Sequence, residues 1–467
     1  MRLTRRELLA GAAAGAIGAA GVYELVDRMG SSPSRPRARG LPPEQHLLDQ
    51  RIVHDNGIEV VVPPLHHQVV TAKLTVDPDR ASLKDAQEAL ERVLRKLDSQ
   101  FIANAAGLGV TVGWGTPYFR RYVSALAAEH VPLDVRASRE RGRPTRALLD
   151  AIRFPSDPGE TILEQNDVAV LLRSDNRGAI AYAAHAIFGD LEDLFRMTSV
   201  RKGFAGGGFG GGKGLPKEMA LAAGVRGADL IPDGAELFLG FTSTQRDGLG
   251  PPRIANLETL GYTQPGYFSY GTHMHVSHVL EDLEAWYLNF DFRSRVNTAF
   301  RPALDVPAGT QTVRQAPRDV ATSAGVVRDF HRYRTIGHSS AIQLTSRLQR
   351  DVVGADGTVY RKGTAIPHRA DFNTLDNPFF WTTDPSADGF SKTPAAGVHF
   401  VVFNPTSDDF HRNRLAMDGI LPDGTRLPLP PRGRGQGINS VLRTTHRQNF
   451  LVPPRKHRSF PLVELLS

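Results

Sequence analysis

The sequence predicts an α+β protein of two halves, each with helices laid over an antiparallel sheet. Three observations predict it. Strand-like and helix-like periods alternate along the first half, a similar alternation returns beyond residue 231, and a glycine-rich segment, Gly203 to Gly214, stands between them.

Residues 58–76 end in a run that alternates from Val69 to Val76, as a half-buried strand does. A helix is expected over 82–100, where Leu83, Ala86, Leu90, Val93, Leu94 and Leu97 fall at helical spacing. Gly109 to Gly115 reads as a second strand, followed by a helix through Tyr122. Asp167 to Arg173 reads as a third strand, with a helix from Arg177 to Phe188. With one more strand this half is a split β-α-β unit, the ferredoxin-like arrangement. Beyond the glycines, Glu236–Phe241 and Thr272–His278 are expected as strands, Leu280–Tyr287 as the start of a helix, and Gly397–Phe403 as a late strand. Residues 300–395 are rich in Gly, Pro, Asp and Arg, which predicts long functional loops over the second half.

The first residues include Thr4-Arg5-Arg6-Glu7-Leu8-Leu9, then a mild apolar run to Val22. Paired arginines before such a run predict a twin-arginine signal over 1–30 and export of the folded chain by the twin-arginine translocase. The destination is then periplasmic or extracellular. The run is short of the ~20 apolar residues of a spanning helix, but no clean cleavage site follows it, so a retained N-terminal membrane anchor stays open. Residues 31–50 read as a linker, 51–230 as the N-terminal domain and 231–467 as the C-terminal domain.

There is no cysteine, which excludes disulfides, thiolate metal sites and covalent haem attachment through cysteine. The formal charge is +7, and residues 1–45 account for nearly half of it. The remainder is too weak a surplus for a nucleic-acid partner. Between Asp423 and Glu464 every charged residue is basic, from Arg426 to Arg458. Such a run suits a solvated face or an anionic ligand or membrane surface.

Gly207-Gly-Phe-Gly-Gly-Gly-Lys213 imitates the start of a phosphate-binding loop, but Gly214 stands where Ser or Thr would hold magnesium, and no apolar strand precedes it. A mobile inter-domain loop is the expectation there. His273, His275 and His278 lie close together. On a strand the first two share a face and could chelate a divalent metal, while the third projects to the other side. Hydrogen-bonded histidines at a sheet surface are the other reading. Ala365 to Pro378 gathers His368, Arg369, Asp371, Asn373, Asp376 and Asn377 between prolines. A histidine whose second N–H is taken by a neighbouring carboxylate suits axial ligation of iron.

Here the chain resembles the dye-decolourising peroxidase superfamily over roughly residues 58–415. The resemblance rests on Val62-Pro-Pro-Leu-His-His-Gln68, Gly107 to Phe119, Asp167 to Asp175 and Gly271 to Trp286. It implies two ferredoxin-like domains arranged like a dimeric α/β barrel, a non-covalent haem b, hydrogen peroxide as oxidant and an unspecified reducing substrate. It also implies His368 as the iron ligand, with Asp371 and Asn373 in the cofactor site. The family's distal motif is altered. Asp247-Gly248 keeps its end, Thr244 replaces its first glycine, and no arginine lies between Ala370 and His411. Asp247 is therefore expected as acid–base group, with Arg246 or Arg369 as the cation. A non-catalytic haem or ligand carrier of the same fold, and a metal protein built on the 273–278 histidines, stay open as alternatives.

Overall fold

Eight antiparallel strands close on themselves in the computed structural model, which describes residues 41–256, 266–314, 321–354, 357–375, 394–430 and 434–467. In chain order they are β1 (His66–Leu74), β2 (Gly109–Gly115), β3 (Val168–Ser174), β4 (Phe195–Phe204), β5 (Thr272–Glu281), β6 (Phe372–Thr374), β7 (Gly397–Asn404) and β8 (Leu442–Val452). The first half runs laterally β4-β1-β3-β2, and the second runs β6-β7-β5-β8. These are one ferredoxin-like order used twice. Two seams make the halves a barrel and remove free edges. β2 meets β8 at Gly115–Phe450 and Trp114–Leu451, whereas β4 meets β6 at the single pair Phe204–Asn373.

Side chains alternate through the barrel wall, as the pleat requires. Val69, Ala169, Leu171, Met274, Val276, Val401, Phe403, Phe450 and Val452 fill the inside. This interior is tight enough to explain a glycine: a Cβ on Gly113 would sit 2.9 Å from that of Phe450. Outward residues of the first half, Val70, Val110, Val168 and Val170 among them, pack under α1 (Arg80–Gln100) and α2 (Arg177–Phe188). Both helices start where side chains take up free N–H groups: Asp79 accepts from Ser82 N, and Asn176 from Gly178 N. In the second half the helices are α3 (Leu283–Asn289), α4 (Phe292–Ala299), α5 (Ser323–Tyr333), α6 (His338–Gln343) and α7 (Ser407–Met417).

Four expectations need correction. Residues 236–241 form turns, not a strand, because Tyr287 Oη and Trp286 Nε1 take the carbonyls of Phe238 and Leu239. The stretch 300–395 is not only loops, since it carries α5, α6 and β6. The glycine-rich segment is packed at its ends, where a Cβ on Gly206, Gly208 or Gly214 would fall within 2.1 Å of the carbonyl oxygens of Glu236, Gly234 and Ala235, while its tip at 210–213 is exposed. The basic C-terminal run is largely neutralised by acids of the first half, Arg443 by Glu160, Arg447 by Asp157, and Arg455 and Arg458 by Asp98. The proposed signal and Asn377-Pro378 lie outside the described residues. Among those described, no helix is long and apolar enough to cross a membrane.

Candidate functional site

The outward face of the second half is not covered as the first is. Ser277, Val279 and Glu281 of β5, Val398, Phe400 and Val402 of β7, and Leu442, Thr444 and Arg447 of β8 form the floor of a deep cavity. Its walls come from the 237–248 turns, from α6 and the residues after it, from α7, and from 365–371. About 1410 Å³ of atom-free space lies within it, its mouth included. The floor is mainly apolar, and the polar groups gather at a few points, the usual composition of a small-molecule site.

His338 opens α6 and lines this cavity. Its Nδ1 has no hydrogen-bond partner. Burial, and then the charges of Arg369 and Arg414, lower its pKa to about 4. The imidazole is therefore neutral at ordinary pH, the form that ligates metals. Sequence reasoning missed it by reading 300–395 as loops. The usable signal was Ala341 and Leu344, three apart, with Ile336 before them and His338 between.

The register of the 368–374 segment sorts the predicted residues. Directly opposed residues in an antiparallel pair share a face. His368 opposes Phe403 and Phe372 opposes His399, both inside the barrel, whereas Arg369 opposes Val402 on the cavity floor. His368 thus turns away from the cavity. Its ring lies 5.8 Å from that of His46, and its Nδ1 engages the Gly250 carbonyl at 3.1 Å. The expected iron ligand is misplaced by one residue of pleat.

Arg369 and Asp371, two apart, both reach the cavity. Arg369 donates to the Ser243 carbonyl, and Ser243 Oγ donates to Asp371 Oδ2 at 3.3 Å. Burial raises the pKa of Asp371, although Arg369 pulls it down. Glu281 stands on the floor with Oε2 unpartnered, and burial, reinforced by Asp371, raises its pKa to about 8. The other cavity arginines are committed: Arg414 to Asp418 at 2.9 Å, Arg447 to Asp157 at 2.5 Å, and Arg347 to the Gly363 carbonyl at 3.0 Å.

The remaining predicted residues serve elsewhere. Asp247 and Arg246 are exposed on a short turn. Arg246 pairs with Glu59 at 2.9 Å, and the Asp247 carbonyl accepts from Arg347. Asn373 is buried at the β4–β6 seam, where Nδ2 donates to the Glu236 carbonyl at 2.9 Å. His273 and His275 do share the outer face, and His278 does point inward. Through Nδ1 they engage Pro405 O, Asn449 Oδ1 and Thr445 Oγ1 respectively. Among the described residues no group of three or more His, Asp or Glu is placed to hold a metal ion.

The DUF7405 family, a family of unknown function, matches residues 64–454. The chain belongs to this family. No curated protein matches it. Solved structures do resemble it. A DyP-type peroxidase from Cellulomonas bogoriensis is 17% identical, covers 89% of this chain and 96% of its own, and superposes with a TM-score of 0.51. A dye-decolorizing protein from V. cholerae is 13% identical over 85% of this chain and 96% of its own, with a TM-score of 0.47. The DUF7405 chain thus has the two-domain ferredoxin-like fold of DyP-type peroxidases, in a divergent form.

Proposed function

We propose that this protein is a haem-dependent, peroxidase-like oxidoreductase whose cavity would hold haem b non-covalently, with His338 as the residue that would hold the iron. The observation that carries the reading is a neutral, cavity-lining imidazole with an unsatisfied nitrogen, set beside a broad apolar floor in this fold. The residues fit the group: Val279, Val398, Phe400 and Val402 offer an apolar face to a macrocycle.

Haem, when bound, supplies an iron centre at which the O–O bond of hydrogen peroxide is broken. This chain's part is to position and to move a proton. Asp371 is part-buried with a raised pKa, so it can take a proton from one peroxide oxygen and return it to the other. Arg369, fixed through Ser243, places a cation where negative charge develops on the departing oxygen. Ser243 holds the two at a fixed spacing. The proposal extends to the reducing substrate, which the cavity mouth would receive, and to export by the twin-arginine route.

The test is one preparation of the full chain made with haem supply. A Soret band that shifts on adding peroxide, with oxidation of a phenol or dye, is the expected result. A haem-loaded chain without turnover would leave a carrier, and a chain that takes up no haem would end the reading.

A further inference from the structure

One end of the barrel interior carries charge that no acid among the described residues balances. Arg173 of β3 and His67 of β1 are opposed Cα partners. They share the parity of Leu171 and Val69, so both face inward. The His67 ring meets Phe372 edge-on at 4.9 Å, and the His46 ring lies 4.9 Å from Phe403. Arg173 Nη2 donates to the His46 carbonyl at 2.6 Å, which draws the three together.

Among the described residues, four guanidinium groups are buried to within 2% of their surface, those of Arg173, Arg201, Arg447 and Arg458. Three have a carboxylate: Arg201 has Glu164 at 2.5 Å, Arg447 has Asp157 at 2.5 Å and Arg458 has Asp98 at 2.7 Å. Among the described residues no acid pairs with Arg173. Its Nε has no partner, nor has either ring nitrogen of His67, whereas the His46 ring engages the Pro252 carbonyl. The charged and titratable groups that bear on the two imidazoles are Arg173, His368, Arg455 and His66, with no carboxylate among them. An arginine keeps its proton inside a protein, and a buried charge without a counter-charge is heavily penalised.

We propose that this end of the barrel binds one halide-sized monovalent anion, held by Arg173 and by an N–H group of His67. A neutral imidazole always carries one N–H. With neither nitrogen engaged, the His67 ring is free to present it to the anion. One unbalanced guanidinium calls for one negative charge. The packing of Val69, Leu171, Phe372 and Phe403 around it suits a single atom better than a branched oxyanion. His368 spends its Nδ1 on Gly250 and stays outside the donor set. The site lies inside the wall, on the other side of the sheet from the haem cavity, and does not depend on that reading.

Two measurements on the full chain test it. Crystals grown with bromide as the sole halide should show an anomalous peak within hydrogen-bond distance of the Arg173 guanidinium. A water there, or no peak, overturns the proposal. Unfolding midpoints should rise with chloride replacing gluconate at fixed ionic strength in the native chain and stay flat in Arg173→Met. In halide-free buffer the variant should be no less stable than the native chain, since it removes an unpaired buried charge. Equal chloride responses, or none in the native chain, also overturn it. Should Arg173→Met not fold, the bromide map and the native chloride series decide by themselves.

Discussion

The two halves share a strand order but treat the outer face of their sheets differently. In the first half α1 and α2 press Leu83, Leu90, Leu94, Ile180 and Ile187 onto the sheet, and the face is sealed. In the second half the connection from β5 to β6 is longer and holds α3 to α6. α3 and α4 pack instead on the 215–241 segment through Leu283, Trp286 and Val296. Val279, Val398, Phe400 and Val402 are left facing space. The same topology thus makes a solid support on one side and a chamber on the other, and His338, Arg369, Asp371 and Glu281 lie in the chamber.

The comparison can be broken at several points. The largest effect is expected in the chamber's acid–base pair. Asp371→Asn should slow the peroxide step of haem-loaded protein by roughly 10²–10⁴-fold, and Arg369→Leu should slow it too, both by stopped-flow absorbance. Full activity in both variants would remove these residues from the mechanism. Next, Leu94→Ala in the sealed half should cost about 2–5 kcal/mol in denaturant unfolding while haem affinity stays unchanged. Val402→Trp, which fills the hollow half, should cost about 1–3 kcal/mol or less but lower haem uptake more than tenfold. If the two variants behaved alike, the halves would not differ in the way described.

The smallest effect concerns pH. Glu281 has a folded pKa near 8, above its usual value of 4.5, so the folded state binds the extra proton between those values. Stability should fall as pH rises through this window and level off above about 8. Glu281→Gln should flatten that part of the profile, measured as unfolding midpoints from pH 5 to 9. An identical slope in both chains would assign the pH dependence elsewhere.

Much of this was legible in the sequence where local pattern decides structure. β2 and α2 follow directly from glycine-bounded alternation and helical spacing, and the 368–373 segment stands out by its density of polar groups. The parity of that segment was not legible. It depends on which residue of β7 opposes His368, a pairing set by contacts far along the chain. A histidine attracts attention as an iron ligand, yet the neighbours Arg369 and Asp371 are the ones that reach the cavity. His338 was hidden for another reason: α6 is only six residues long, within a stretch whose Gly and Pro content reads as loop. The apolar run 237–241 looked like a strand because two side chains distant in sequence, Trp286 and Tyr287, supply the partners its carbonyls need.

The central claim is that His338, not His368, meets the iron. Absorbance spectra of haem-supplied native chain, His338→Ala and His368→Ala, with folding checked by circular dichroism, test it most directly. The account predicts a Soret band in the native and His368→Ala chains and its loss or displacement in His338→Ala. A native spectrum in His338→Ala, with the band lost in His368→Ala, would contradict it.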